Sequence, residues 1–257
     1  MQSFGALLLR GLLAGLLAGL LAGAFAYVAG EPRIDAAIAL EEQAAHSHGA
    51  EADAGHEEEP PVSRDGQRAG LFLALALYGI AVGGMFATVY AVARRRLRAR
   101  SDATAILGLA GAAFLGAVLV PFLKYPANPP AVGDPETINQ RTVSYLAILV
   151  IGLVAVWAGV LAFRTVRAVA PEWLRFAAGA GAFLVVVGIA YAVLPTVDEV
   201  PDGFPASLLW NFRLASLGTQ AVLWTGLGLA FAALVDLASR GKASAAPAAE
   251  AADAVRA

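Results

Sequence analysis

The 257-residue sequence contains no cysteine. Disulfides, thiolate metal sites and cysteine nucleophiles are thereby excluded. Charge is scarce as well: 15% of residues are charged, where a soluble domain carries about a quarter. The net charge is −2, and no basic stripe with interleaved aromatics occurs, so nothing points to nucleic acid. No Asp, Glu, Lys, Arg or His falls in the middle of the long apolar blocks, where pumps and proton-coupled carriers keep ionisable groups. Gly241-Lys242 lacks the upstream glycine and the following Ser or Thr of a phosphate-binding loop, which excludes a P-loop ATPase. No nucleophile–base pair and no cofactor fingerprint can be named. The chain reads as a non-enzyme with no permanently bound cofactor.

What is present is apolar. Hydrophobic residues make up 59% of the chain and mean hydropathy is +0.68. They fall in blocks of about 20 residues, the length that crosses a bilayer as a helix. The blocks lie at about 11–29, 70–92, 103–123, 142–163, 176–194 and 214–237. The predicted fold is an all-α integral membrane protein with six transmembrane helices over residues 1–242. Residues 243–257 read as a disordered Ala-rich tail.

The first block admits two readings. Gly11, Gly15, Gly19 and Gly23 recur every fourth residue and form one smooth stripe on a helix. Such a stripe lets another helix pack closely, and it offers a surface for an oligomer. The same block, with Arg10 before it and Ala24-Phe25-Ala26 near its end, also has the form of a signal peptide. Removal there would leave five spans. The length of the apolar run favours a retained helix.

Six spans put both termini on one side. The loops on that side and the termini hold twelve Lys and Arg, the opposite loops six. The positive-inside rule places the termini in the cytoplasm. Residues 30–69 and the two proline-rich loops then face outward, with fifteen of the twenty carboxylates. Such a face attracts cations. A weak internal repeat runs through the inward-going helices, which start at Arg68, Arg141 and Arg213. In the first two, an aromatic stands four residues on (Phe72, Tyr145) and a glycine eleven residues on (Gly79, Gly152). The two later outer loops share Gly-x-Pro-x-[Thr/Ser], at Gly133 and Gly203. The echo suggests three helical hairpins in parallel orientation.

Two groups of residues suit metal ions. The segment 30–69 carries His46, His48 and His56 among carboxylates. Imidazole with carboxylate and no thiolate suits borderline divalent ions such as Co2+, Ni2+ and Zn2+. The centre of this segment is poor in apolar residues and reads as disordered when empty, so its binding would be weak and fast, while 31–43 reads as a short surface helix. The alternative is a solvated acidic tract that happens to hold histidines. The second group is Glu31, Asp134, Glu136, Asp198 and Glu199, which could converge on one outer vestibule. The alternative is interfacial charge paired to Arg68, Arg141 and Arg213. The stretch 121–145 has five prolines and reads as a stiff, extended loop that holds its ligands in place.

Three stretches carry a family resemblance. They are Gly30-Glu31-Pro32-Arg33-Ile34; Leu123-Lys124-Tyr125-Pro126-Ala127-Asn128-Pro129-Pro130 with Gly133-Asp134-Pro135-Glu136-Thr137; and Leu194-Pro195 through Glu199-Val200-Pro201 to Leu209-Trp210-Asn211-Phe212-Arg213. In these the chain resembles the CbtA-type family, described as predicted cobalt transporter subunits. The resemblance covers roughly residues 1–240. It implies a multi-pass protein of a bacterial cytoplasmic membrane that carries Co2+ and works with a small, histidine-bearing, single-span CbtB-type subunit. The other reading is a non-transporting membrane scaffold for a metal-handling complex.

Overall fold

The computed structural model describes residues 2–48, 63–96, 99–130, 132–133, 135–167 and 170–256, with side chains described except at 44–48, 135 and 241–256. Among these residues the chain is all helix and contains no strand. Eight α-helices follow in order: α1 (Phe4–Ala29), α2 (Glu31–His48), α3 (Arg64–Ala93), α4 (Asp102–Phe114), α5 (Val120–Lys124), α6 (Ile138–Thr165), α7 (Glu172–Val193) and α8 (Ala206–Arg256). A π-helical turn, Leu115–Leu119, joins α4 to α5, and a 3-10 turn, Pro135–Thr137, leads into α6.

Among the described residues six helical stretches are long and apolar enough to cross a membrane: Phe4–Ala29, Arg64–Ala93, Asp102–Lys124, Ile138–Thr165, Glu172–Val193 and Ala206–Arg240. They match the six apolar blocks but run past them by polar turns. Hydropathy marks the part of a helix that lies in lipid, whereas the helix itself continues until a breaker stops it. Here α2 follows Gly30, and Pro171 and Pro205 immediately precede α7 and α8. Proline suits a helix start, because its missing N–H would be unpaired there anyway.

One sequence expectation is corrected. The stretch 121–145 is not one extended loop: Pro121 lies within α5 and residues 138–145 belong to α6. At the chain end α8 runs on to Arg256, into the Ala-rich stretch. Alanine, which dominates that stretch, is the strongest helix former.

The helices sort into two compact units. Unit 1 comprises Met1–Ala24, Arg64–Gly111 and Ala221–Ala257, and unit 2 comprises Phe25–Ser63 and Ala112–Gln220. In unit 1 the share of the core that α1 contributes is mostly small residues. Ala14, Ala18 and Ala22 of α1 are fully buried beside Phe86, Tyr90 and Phe231. The rings of Phe86 and Tyr90 meet Phe231 edge-on, with centroids 5.7 and 5.5 Å apart. Leu9, Leu13, Leu17 and Leu21 of the same helix are exposed. Small residues inside and large aliphatic ones outside is the arrangement that lipid favours, where close backbone approach drives association.

The α1 glycine stripe makes that approach. A Cβ at Gly15 would stand 2.0 Å from the Gly79 carbonyl oxygen, and one at Gly11 would stand 2.5 Å from that of Gly83. Gly19 meets Leu75 and Gly23 meets Phe72, so α1 and α3 run antiparallel. The stripe that the sequence offers to a second copy is therefore filled by α3 of the same chain. Cleavage after Ala26 would strip this whole contact from unit 1.

Unit 2 contains a crossing of the same kind. A Cβ at Gly152 would lie 2.0 Å from the Gly116 carbonyl oxygen. Gly79 and Gly152 are the glycines eleven residues past Arg68 and Arg141, so the repeated glycine marks a backbone-to-backbone crossing in each unit. The other echo is weaker. Gly203 takes φ +84° in the Pro201-Asp202-Gly203-Phe204 turn, closed by Phe204 N–H to the Pro201 carbonyl at 3.1 Å. That is the conformation a type II turn reserves for glycine. Gly133 does not share it.

Candidate functional site

Two of the three stretches that carry the resemblance come together at one end of unit 2, where α5 ends, α6 begins, α7 ends and α8 begins. X–Pro steps hold the loop backbones extended, so few of their polar groups bond within the loop. They bond across loops. Tyr125 donates its hydroxyl to the Pro195 carbonyl at 2.6 Å, and Tyr191 donates to the Val120 carbonyl at 2.6 Å. Lys124 Nζ donates to the Tyr191 carbonyl at 3.1 Å, with the Tyr125 and Tyr191 rings about 6 Å away. That distance is in cation–π range. Arg213 of α8 reaches back to Asn128 Oδ1 at 3.0 Å and the Ala127 carbonyl at 3.4 Å. The two proline loops thus form one stapled platform.

The strongest tie is ionic. Arg141 Nη1 donates to Glu199 Oε2 at 2.5 Å, and the Thr137 hydroxyl donates to Glu199 Oε1. The Glu199 side chain is 1% exposed, while that of Arg141 is 39% exposed. Both carboxylate oxygens are engaged, so Glu199 is a buried, satisfied anion that clamps the 195–205 loop to the start of α6. The three arginines of the sequence repeat do not share a role. Arg141 holds a carboxylate and Arg213 holds an amide. Arg68 lies 3.5 Å from the exposed Asp65 one turn earlier on its own helix.

Of the other carboxylates expected to bind metal, Glu136 and Asp198 are exposed on the platform, and Asp198 Oδ1 accepts from the Val200 N–H at 3.4 Å. Glu31 opens α2 in the same unit and is buried. Asp134 and His56 lie outside the described residues. His46 and His48 sit on the last turns of α2, with side chains outside the description. Among the described residues no three His, Asp or Glu side chains gather closely enough to hold a metal ion. Two hydroxyls within the spans are used locally: Thr88 donates to the Gly84 carbonyl and Thr219 to that of Ala215, each at 2.9 Å.

Sequence reasoning picked out the acids but not Lys124, Tyr125, Asn128, Thr137 and Tyr191 as partners. The signal was there for four of these: Lys124, Tyr125, Asn128 and Thr137 belong to the motifs that carry the resemblance. Tyr125→Phe should test the platform with one atom. It removes the donor to Pro195 and should cost about 1 kcal/mol of stability, read as a lowered unfolding midpoint in detergent. An unchanged midpoint would mean the tie is not made.

A model of the CbtA family, described as a probable cobalt transporter subunit, matches residues 4–236, nearly the whole chain. Comparison with curated proteins and with solved structures finds no match.

Proposed function

The chain belongs to the CbtA family, and from that premise we propose that it is the membrane subunit of a Co2+ uptake system whose acidic outer loops collect the ion. The observation that carries this is the unit 2 platform. It combines the family's proline motifs with exposed carboxylates, Glu136, Asp198 and Asp202, held on a braced backbone. Carboxylates on a rigid surface raise the local cation concentration without trapping the ion. That suits capture with fast release. His46, His48, His56, Asp134 and Glu31 belong to the same collecting surface in this reading. Arginine distribution supports an outward orientation of these loops in a bacterial cytoplasmic membrane.

Inward movement of a cation needs no ATPase. The membrane potential supplies roughly 2.3 kcal/mol per charge per 100 mV, and a divalent ion gains twice that. The small CbtB-type subunit, with its histidine, completes the path. Glu199 has a different part: as a buried anion already clamped by Arg141, it holds the platform together and contacts the ion only if Arg141 lets go.

The test is uptake of 57Co2+ by cells expressing the chain with and without the small subunit, with Ni2+ and Zn2+ as competitors. Glu136→Gln with Asp198→Asn removes two exposed charges and keeps an oxygen acceptor at each position. Saturable uptake that falls tenfold or more (a loss of about 1.4 kcal/mol) in this double variant, at unchanged membrane abundance, supports the reading. Wild-type-like uptake by the variant would move capture elsewhere. No uptake by well-folded protein with its partner present would leave the scaffold.

A further inference from the structure

Unit 1 contains a cavity that the proposed function does not use. It has a volume of about 440 Å3 and lies where α3 ends, α4 begins, α1 begins and the membrane-spanning part of α8 ends. Its size is in the range of small-ligand sites.

One wall is already saturated. Gln2 Nε2 donates to the Val235 carbonyl at 3.0 Å and to Ser239 Oγ at 3.1 Å, while Gln2 Oε1 accepts from Arg10 at 2.8 Å. The Gln2 carbonyl accepts from Arg94 Nη2 at 3.2 Å. These bonds make a fixed frame and leave Gln2 no donor to offer.

Other lining groups have capacity to spare. Arg94 Nε is buried and has no hydrogen-bond partner among the described residues. Arg95 lines the cavity with an exposed side chain. Asp102 lines the cavity too, with Tyr90 as a side-chain partner. A carboxylate has about four lone-pair positions, so Asp102 can accept further donors. Leu7 and Val235 give the cavity an apolar flank.

The charge pattern selects the occupant. Two guanidiniums repel a divalent cation, so this is no way station for the metal. An occupant with only negative charge would meet Asp102. A group carrying a phosphate and an ammonium a few atoms apart answers both signs of charge in the lining. The cavity also sits where the apolar spans stop, at Ala93 and Asp102, which is the depth of lipid headgroups. Basic pockets at this depth bind phospholipid headgroups.

We propose that this cavity binds the headgroup of a phospholipid with a primary ammonium, such as phosphatidylethanolamine. Its phosphate lies against Arg94 and Arg95, its ammonium against Asp102, and the first acyl carbons lie along Leu7 and Val235.

The test uses the delipidated full chain in mild detergent and native mass spectrometry with added phosphatidylethanolamine, phosphatidylglycerol and phosphatidylcholine. Phosphatidylethanolamine should bind best. Phosphatidylcholine should be weaker, because a quaternary ammonium donates no hydrogen bond to Asp102. Arg95→Gln, at an exposed side chain that folding does not need, should weaken phosphatidylethanolamine binding about tenfold, the value of one charged hydrogen bond. Asp102→Asn should abolish the preference and favour phosphatidylglycerol. Equal binding of all three lipids to the wild type would overturn the proposal. So would phosphatidylethanolamine binding unmoved by both substitutions. Competition by free phosphoethanolamine at lipid-like concentrations would overturn it too, by making the occupant a soluble ion.

Discussion

Gly15→Leu should prevent unit 1 from assembling. The α1 and α3 backbones touch at this point, and even a methyl group at Gly15 would fall 2.0 Å from the Gly79 oxygen. Nothing flexible lies in the way that could move aside, since the obstacle is backbone. The helices must separate, and the separation loosens every buried alanine along α1. Overpacking a tight core typically costs 1–3 kcal/mol and occasionally more. Here, with a whole helix displaced, the loss should be about 3 kcal/mol or more. Gly5→Ala and Gly108→Ala are the controls, because a Cβ at either position meets nothing within 4 Å. Monodisperse yield and unfolding midpoint in detergent separate the cases. A Gly15→Leu protein that purifies and melts like wild type would show that α1 does not pack on α3.

Arg141→Ala should undo the strongest tie of the unit 2 platform. It leaves the Glu199 carboxylate 1% exposed with only Thr137 to answer its charge. Removing one member of a fully buried pair costs 3–5 kcal/mol. Arg141 is partly exposed and water can take some of its place, so about 2–3 kcal/mol is the expected loss. Glu199→Gln should be milder, since an amide oxygen still accepts from Thr137 or Arg141. The double variant should recover part of the Arg141→Ala loss, because no buried charge is then left alone. A double-mutant cycle on unfolding midpoints measures the coupling. Additive effects would mean that the pair does not form.

The six spans were legible in the sequence because lipid imposes one simple demand, a run of apolar residues of fixed length, and the chain meets it six times. The acidic outer face was legible by counting. The glycine stripe was half legible. Spacing by four reveals a smooth face on α1 but not what fills it. The matching clue was on α3, where Gly79 and Gly83 repeat the same spacing. The Arg141–Glu199 clamp was not legible by pattern, since 58 residues separate the partners and no periodicity links two loops. Arg141 and Glu199 could each be named as charges needing a partner, but which charge meets which is decided by the fold. Pro121 was misplaced for a similar reason. Proline commonly ends a helix, and only the geometry around it shows how this one is accommodated.

That geometry is the π turn. Proline has no N–H, so in a regular α-helix the carbonyl of Ala117 would lack its partner at position 121. Over Leu115–Leu119 the bonding shifts by one residue, as in Val120 N–H to the Leu115 carbonyl. The turn carries one residue more than an α-helix would, which advances the phase of everything beyond it by about 100°. Lys124 and Tyr125 are the side chains so re-aimed, one at the Tyr191 carbonyl and the other at the Pro195 carbonyl. A single imino acid inside the apolar span thus sets the compass bearing of the loop at its end.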